Sequence, residues 1–192
     1  MIEHIKHIKT SGTIVRSSPF LISRLLRAID FRRARTVVQL GVGTGCITRA
    51  LLKKLHPDAR LLGLELNQVF VEENRDLQDP RLHLVQGCAS ALPRFAREHG
   101  LGEVDYIVSS LPLAIMNKAI VERILRDAGR LLAPHGMFLQ YQYSLSQRRA
   151  LERRFREVKV GFTLANIPPA FVYECTPELP AAPAAGRRAA AR

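Results

Sequence analysis

The sequence predicts an α/β protein with a doubly wound, mostly parallel seven-stranded sheet that ends in an antiparallel pair of strands. Short β-rich runs alternate with segments of helical apolar spacing from residue 36 to residue 155. A glycine-rich turn, residues 41–45, stands directly between the first strand and the helix that follows it. The last two apolar runs, 158–160 and 170–173, have no helix-length segment between them. Alternation of this kind is typical of a parallel sheet covered by helices on both faces, and the missing last helix indicates an antiparallel return.

The first predicted helix begins at Ser18-Pro19, where a capping hydroxyl precedes a proline whose missing N–H costs nothing at that position. Apolar residues then recur at helical spacing from Leu21 to Ile29. Five strands are expected before the terminal pair, at 36–40, 61–65, 82–85, 104–108 and 137–141. Helices are expected after these strands, at 47–55, 69–77, 91–99, 118–132 and 147–155.

Length and composition exclude several classes of protein. The 192 residues suit one domain with a single sizeable core. No run reaches the roughly eighteen consecutive apolar residues that a membrane span needs, and the first residues lack the long apolar stretch of a secretory signal. Three cysteines without a CxxC pair disfavour a disulfide framework and a cysteine-built zinc site. We therefore expect a protein of the reducing cytoplasm that is neither exported nor integral to a membrane.

The positive charge of the chain is unevenly distributed. Lysine and arginine number 29 against 17 aspartates and glutamates, which gives a formal net charge of +12. Most of the excess lies in residues 1–35 and 148–160. Clustered bases attract polyanions, which are either nucleic acid or the anionic surface of a bilayer. A merely soluble, arginine-rich surface is the alternative explanation.

The glycine turn and an acid after it indicate a nucleoside site. The spacing Gly41-x-Gly43-x-Gly45 is neither the GxGxxG dinucleotide fingerprint nor a phosphate-binding P-loop. Glycines at this point let the backbone approach a ligand at the carboxyl edge of the sheet. Glu65 ends the second strand, where a carboxylate can accept both hydrogen bonds of a ribose diol. Separately, the features are consistent with a tight turn and a solvated strand end; together they favour an adenosine-bearing ligand.

These segments resemble the class I S-adenosylmethionine-dependent methyltransferases. Residues 37–45 are similar to the first motif of that family and residues 64–67 to its second. The chain departs from the family at Gln39, where an acid is usual, and at Gly87-Cys88-Ala89, where the third motif commonly ends in an acid. The resemblance implies S-adenosyl-L-methionine as cofactor, with contacts at Ser18, Gly41, Gly43, Thr44, Gly45, Glu65, Leu66, Cys88, Ala89 and Ser109.

The segment after the fourth strand, residues 109–113, normally faces the transferable methyl group in that family. Its sequence is Ser-Ser-Leu-Pro-Leu. Methyltransferases acting on bases and protein amides typically have Asn/Asp-Pro-Pro-Tyr/Phe there, and the aromatic ring stacks on the base. Leu113 stands at the position of that ring, which argues against a flipped base. A loop that packs on the core is the alternative interpretation of the same segment.

Several segments together resemble the bacterial phospholipid N-methyltransferases that associate with membranes. They are residues 12–18, 41–45, 109–113, 140–143 and 166–170. The chain lacks the Asn-Leu/Ile-Pro-Tyr element and the appended helical domain of the related rRNA adenine dimethyltransferases. The resemblance implies stepwise methylation of phosphatidylethanolamine at the inner membrane surface, without a metal.

The resemblance places the methyl-transfer site at Ser109, Leu111, Pro112 and Tyr143. Tyr143 or Tyr141 would orient the amine by a hydrogen bond or a cation–π contact, although either side chain would also suit a core position. We assign no general base. Ile2, Ile5 and Ile8 recur every three residues among bases and predict a helix lying in the bilayer interface. A frayed terminus, or a helix that caps the cofactor pocket, is the alternative.

Three segments are expected along the chain: an N-terminal basic helical segment over the cofactor site (1–35), a methyltransferase domain (36–175) and a disordered Ala/Pro/Arg tail (176–192). Two other functions remain open. One is methylation of an RNA adenine or a small-molecule amine on the same fold. The other is a non-catalytic ligand- or nucleic-acid-binding module, which the departures at Gln39 and Cys88 motivate.

Overall fold

The computed structural model describes residues 18–164 and 166–178. The predicted interfacial helix that carries Ile2, Ile5 and Ile8 lies outside the described residues, and so do the resembling segment 12–17 and most of the tail. In the described part of the chain, no helix is both long enough and apolar enough to span a bilayer.

The described chain forms seven strands and six helices. The strands are β1 (Thr36–Leu40), β2 (Arg60–Glu65), β3 (Leu82–Gln86), β4 (Val104–Ser109), β5 (Leu132–Gln142), β6 (Glu157–Thr163) and β7 (Ala170–Thr176). The helices are α1 (Pro19–Leu26), α2 (Cys46–Leu52), α3 (Gln68–Glu73), α4 (Leu92–Glu98), α5 (Lys118–Leu131) and α6 (Arg148–Glu152). A short 3₁₀ helix, Ala89–Ala91, precedes α4.

The seven strands form one sheet in the order β3-β2-β1-β4-β5-β7-β6. Strands β1 to β5 are parallel, whereas β7 runs antiparallel to both β5 and β6. The predicted doubly wound fold with a terminal antiparallel pair is therefore confirmed. Because the strand order reverses between β1 and β4, the carboxyl ends of these two strands flank the crevice where such sheets bind ligands.

The sheet buries an apolar layer on each face. On one face, α1 and α2 pack against strand residues such as Val37, Leu61, Val108 and Leu139. On the other face, α4, α5 and α6 cover the alternate residues of the same strands, including Leu40, Ile107 and Phe138. A strand that is buried on both faces has a nearly continuous run of apolar residues. This pattern is what predicts β1 and β2 from the sequence.

Helix α1 is part of this core. The Ser18 hydroxyl accepts a hydrogen bond from the Leu21 amide at 3.1 Å, and Pro19 occupies the first turn. Leu21 and Leu25 are fully buried. The described end of the predicted N-terminal segment is thus a helix packed on one face of the sheet, with its start at the carboxyl edge.

Several predicted boundaries were wrong by three residues or more. The helix expected at 69–77 ends at Glu73, because the Asn74 side chain turns back and donates to the Phe70 carbonyl at 2.7 Å. The strand expected at 137–141 already begins at Leu132, which pairs with Val104 before a register shift in the β4–β5 ladder. The basic helix expected at 147–155 is shorter, at Arg148–Glu152.

Asp105 joins β4 to the start of β1 at the edge opposite the crevice. Its Oδ2 accepts hydrogen bonds from the Arg35 and Thr36 amides at 2.8 and 2.9 Å. Its Oδ1 lies 3.0 Å from Nε2 of His135. Burial raises the pKa of Asp105, but the two backbone hydrogen bonds and His135 outweigh it and hold the pKa below its ordinary value.

We expect Asp105→Ala to lower the free energy of unfolding by about 1–3 kcal/mol at pH 7, because two backbone amides lose their acceptor. A carboxylate with a lowered folded-state pKa stabilises the fold above its unfolded pKa, and that contribution is lost as the pH falls through the folded value. The difference between wild type and variant should therefore shrink below about pH 4. Urea unfolding followed by circular dichroism at several pH values measures it.

Asp58→Ala is the matched control, since the Asp58 side chain is 81% exposed and contacts only its neighbour His56 in an ion pair. It should change the free energy of unfolding by less than about 0.5 kcal/mol. An Asp105→Ala variant as stable as this control would contradict the assigned role.

Candidate active site

The candidate site lies at the carboxyl edge of the parallel strands. The segments that follow β1, β2, β4 and β5 meet there because parallel strands all end at the same side of a sheet. The predicted cofactor residues of the glycine turn and the predicted acceptor residues 109–113 are adjacent, since β1 and β4 are neighbours and Leu40 pairs with Ser109.

The glycine turn adopts backbone conformations that favour glycine. Gly43 has φ +54° and Gly45 has φ +76°. A side chain at Gly45 would also collide with Asn74, whose Oδ1 would lie 1.9 Å from the added Cβ. Around Gly43, by contrast, no atom lies within 4 Å of that position, so the turn leaves open space beside its Cα.

The amides of the three glycines are all engaged by the protein itself. Those of Gly41 and Gly45 donate to backbone carbonyls, and that of Gly43 donates to the Glu65 carboxylate at 2.8 Å. A ligand would therefore meet the open Cα surface of Gly43 rather than the glycine N–H groups.

Glu65 links the first two motifs. Its side chain is buried, and its oxygens accept from the Gly43 amide and the Asn67 amide, each at 2.8 Å. A carboxylate has about four acceptor sites, so each oxygen retains capacity for another hydrogen bond. The arrangement fits a ribose diol at the end of β2, and the neighbouring Leu66 side chain is exposed.

Two buried amide side chains support the glycine turn by donating hydrogen bonds to its carbonyls. Gln39 donates to the Gly41 carbonyl at 3.2 Å and accepts from the Thr48 hydroxyl at 2.8 Å. Asn74 donates to the Gly43 carbonyl at 2.8 Å. The family's usual acid at this position could only accept hydrogen bonds, whereas the Gln39 amide also donates one to the Gly41 carbonyl. Gln39 therefore supports the glycine turn through a contact that a carboxylate could not make.

The other predicted cofactor residues border the same edge. Ser18 caps α1, and its amide donates to Asn166 Oδ1 at 3.1 Å. Thr44 accepts from Arg49 through its carbonyl. Cys88 lies at the end of the β3 segment with its Sγ 3.1 Å from the Ser90 hydroxyl, and the following Ala89 is buried.

The acceptor segment is held by two amides from β5. The Leu111 carbonyl accepts from Nε2 of Gln140 at 3.1 Å and from Nε2 of Gln142 at 2.8 Å. Ser109 is buried, with its hydroxyl 3.4 Å from the Leu111 amide. The Ser110 hydroxyl donates to the Gly41 carbonyl at 2.8 Å, which ties the acceptor segment to the cofactor turn.

Gln140 has one unusual property. Its Nε2 also donates to the Tyr141 carbonyl at 2.6 Å, so two carbonyls fix which end of the amide is nitrogen. Its Oε1 is buried and, like Asn74 Oδ1 and Thr176 Oγ1, has no hydrogen-bond partner within the described residues; of the three it is the one on β5 beside the acceptor segment. A buried acceptor left without a partner is costly, which marks this atom as a candidate contact for a ligand.

The predicted aromatic residues lie at the rim of the acceptor segment. Tyr143 is 43% exposed just beyond β5, and its ring meets that of Tyr141 edge-on at 5.9 Å. Tyr141 packs against the α1 side of the core. Pro112 is exposed, whereas Leu113 is buried in the core. No three His, Cys, Asp or Glu side chains group as metal ligands among residues 18–164 and 166–178.

Sequence reasoning missed the roles of four amides: Gln39, Asn74, Gln140 and Gln142. A signal existed for the last two, because residues two apart in a strand share a face and both would point toward the acceptor segment. Asn74 gave no signal, since it acts across 31 residues from a helix end.

Comparison with known proteins identifies the fold and the family. Residues 37–136, more than half of the chain, match the family described as "Methyltransferase domain". The ornithine lipid N-methyltransferase of Singulisphaera acidiphila is 33% identical over 173 residues, which cover 88% of this chain and 90% of that protein.

Solved structures with the same fold are also methyltransferases. The precorrin-6y C5,15-methyltransferase of Geobacter metallireducens superposes with a TM-score of 0.67 at 14% identity, over 87% of this chain and 93% of the other. A TehB-like SAM-dependent methyltransferase of Corynebacterium glutamicum gives 0.59 at 16% identity, over 92% and 96%. At such identities the likeness shows the fold alone. The family match and the 33% identical relative show that the chain belongs to the class I S-adenosylmethionine-dependent methyltransferases, with S-adenosylmethionine as its cofactor.

Proposed function

We propose that this methyltransferase methylates the head-group amine of a membrane lipid. Phosphatidylethanolamine is the substrate that the sequence resemblance implies, and an ornithine lipid is the substrate named for the 33% identical relative. Both present a primary amine on a head group whose acyl chains stay in the bilayer. The shared chemistry is N-methylation of that amine.

The acceptor segment carries the proposal. Residues 109–113 hold no charged and no aromatic side chain, and Leu113 is buried where base-modifying relatives would present a stacking ring. A flipped base needs a planar surface on which to stack. A small aliphatic amine needs only acceptors for its N–H groups and a route in from the rim.

The cofactor, when bound, supplies a methyl group that is already activated on a sulfonium. Glu65 would hold the ribose, and the open surface at Gly43 would receive the adjoining part of the molecule. The protein then has to align a neutral amine with that methyl group and keep water away. The Ser110 to Gly41 hydrogen bond holds the two halves of the site in one geometry.

The absence of charge in the acceptor segment favours the reactive form of the substrate. A head-group amine arrives as an ammonium and must give a proton to water before its lone pair can attack the methyl group. A carboxylate beside it would stabilise the ammonium, whereas uncharged surroundings disfavour it. The Oε1 of Gln140 would accept an N–H of the neutral amine, and the exposed Tyr143 ring would meet the incoming cation at the rim.

RNA is the second candidate substrate, because the net charge of +12 favours polyanions. The segments after β1, β2, β4 and β5 contain no lysine or arginine to hold a phosphate backbone beside the transfer site. This distribution of charge favours the lipid.

The direct test supplies methyl-labelled S-adenosylmethionine to the purified chain with four acceptors in parallel. These are vesicles containing phosphatidylethanolamine, vesicles containing an ornithine lipid, ribosomal RNA and free ethanolamine. We expect label in one or both lipids. Vesicles of phosphatidylcholine, whose nitrogen has no lone pair, are the matched control. Label that enters only RNA, or only ethanolamine, would overturn the proposal.

Glu65→Ala should weaken cofactor binding at least about tenfold, because a hydrogen bond to a charged group is worth about 1.5–3 kcal/mol. Titration calorimetry measures the Kd for S-adenosylhomocysteine, and Glu73→Ala, exposed on α3, is the control. Since Glu65 also holds the Gly43 amide, the 2′-deoxy analogue completes a double-mutant cycle. Loss of the 2′-hydroxyl should matter in wild type and not in Glu65→Ala; equal losses in both would show that Glu65 acts only on the turn.

Gln140→Leu and Gln142→Leu separate two roles on β5. Each removes one donor to the Leu111 carbonyl, but only Gln140→Leu also removes the unpartnered acceptor and the donor to the Tyr141 carbonyl. We expect both to keep the wild-type Kd for S-adenosylhomocysteine and Gln140→Leu to lose about tenfold more kcat/KM toward the lipid. Melting temperatures report any change in stability. If the two variants lose the same amount of kcat/KM, Gln140 only holds the acceptor loop and does not contact the amine.

A further inference from the structure

The loops at the site's edge of the sheet carry no charge. We call this set the cofactor edge: residues 41–45, 66–67, 87–91, 110–117, 143–147 and 164–169. None of these segments contains Asp, Glu, Lys or Arg, although such residues make up 24% of the chain. The segments at the opposite edge, 27–35, 53–59, 74–81, 99–103 and 153–156, each hold at least one charged residue and most hold three or more. The two edges therefore face different surroundings.

The exposed apolar side chains gather at the same edge. Ten large apolar side chains are exposed among the described residues, and only Val160 lies away from the cofactor edge. The other nine belong to its loops, or to the strand end or first helical turn beside one. They are Phe20, Leu66, Val69, Ile115, Tyr143, Leu145, Phe162, Leu164 and Ile167. Apolar groups concentrated on one face mark a surface that binds something.

The most exposed of these side chains surround the acceptor half of the site. Ile167 is 88% exposed and Leu164 74% exposed, both in the turn between β6 and β7. Ile115, in the loop after β4, is 69% exposed. The sheet order places the end of β5, with Leu145 just beyond it, between those two loops. The mouth of the transfer site is thus flanked by protruding aliphatic groups.

Exposed bases lie in the first turns of the helices that follow these loops. Lys118 begins α5 directly after the loop 110–117, and Arg149 lies in the first turn of α6 directly after the loop 143–147. The neighbouring Arg148 is paired with Glu152 at 2.7 Å. Glu122, one turn into α5, is already paired with two other arginines. A bilayer has its phosphates at the surface and its hydrocarbon beneath them. A protein edge with protruding apolar side chains and bases set further back is complementary to that arrangement.

We infer that the cofactor edge is the surface that docks on a lipid bilayer with anionic head groups. Leu164, Ile167 and Ile115 enter the interface, and Lys118 and Arg149 reach the lipid phosphates. The inference rests on the proposed lipid substrate, because a head group anchored by its acyl chains can enter the site only if the mouth faces the membrane. The exposed aliphatic side chains come from separate loops that contain no charged residue. Such a surface fits the fluid hydrocarbon of a bilayer.

The test is flotation of the full chain with vesicles of phosphatidylcholine and phosphatidylglycerol, which contain no amine substrate. The variant Leu164→Glu/Ile167→Glu should lower the partition coefficient about tenfold or more, because it removes two apolar groups and adds repulsion. Val160→Glu, which adds charge to an exposed apolar position away from this edge, should stay within about twofold of wild type. Wild type should bind pure phosphatidylcholine more weakly. Melting curves verify that both variants fold.

Three results would overturn the inference. The first is that wild type does not float, or that the double variant floats as wild type does. The second is that only deletion of residues 1–17, which lead into Ser18 at this edge, abolishes flotation. The third is a dimer of the wild-type chain in lipid-free sedimentation that the double variant dissociates, which would make the edge a contact between two copies.

A soluble substrate separates this inference from the proposed function. On dihexanoyl phosphatidylethanolamine below its micelle concentration, or on the equivalent short-chain ornithine lipid, the double variant should methylate at the wild-type rate while losing activity on vesicles. Equal loss on both forms would overturn docking as the cause. If wild type methylates no lipid amine, the proposed function fails, and flotation on the substrate-free vesicles still decides whether the edge docks.

Discussion

The buried carboxylate of Glu65 is the constraint on which the site depends. It is the one charged side chain among the buried residues that the structure describes. A buried charge is costly unless hydrogen bonds replace the water it has lost. Here the Gly43 and Asn67 amides replace it, one from the turn after β1 and one from the start of α3. The charge that can hold a ribose is therefore also the charge that fixes the turn beside it, so the shape of the cofactor site and its affinity for the cofactor are coupled.

Neutral amides hold the remaining loops of this edge. Gln39 and Asn74 grip the glycine turn, and the β5 pair Gln140 and Gln142 grips the Leu111 carbonyl. Asn166 accepts from the Ser18 amide and donates to the Pro168 carbonyl, which fastens the last turn of the sheet to the start of α1. Arg49 is the charged exception: its guanidinium donates to the Thr44 carbonyl of the glycine turn at 2.8 Å and lies 3.6 Å from Asp76. The acceptor segment and the turn between β6 and β7 are held by uncharged amides.

The sequence was sufficient where a residue acts through its own strand or turn. Alternating runs predict the parallel strands of the sheet. Because β1 and β2 end side by side in any such sheet, the sequence also predicts that the glycine turn lies beside Glu65, and the Gly43 amide does contact that carboxylate. It was insufficient where a side chain acts across the fold. Asn74 ends α3 and reaches the glycine turn, and the short α3 follows from that contact rather than from helix propensity. Gln140 and Gln142 are two apart in β5 and so share a face, but only the register of β5 against β4 shows that this face meets the acceptor segment.

The open, uncharged edge raises the question of what keeps water from the methyl group. Methyl transfer to an amine competes with water in the site, and enzymes usually close a lid to exclude it. Charged residues at the rim would hold a layer of water between this edge and a bilayer, whereas the exposed side chains of Ile115, Leu145, Leu164 and Ile167 would not. If the edge lies on a bilayer, the membrane itself closes the site, and substrate entry and water exclusion become the same event. On that proposal, the absence of charged residues from the cofactor edge lets the bilayer cover the mouth of the site, while the charged residues of the opposite edge face water.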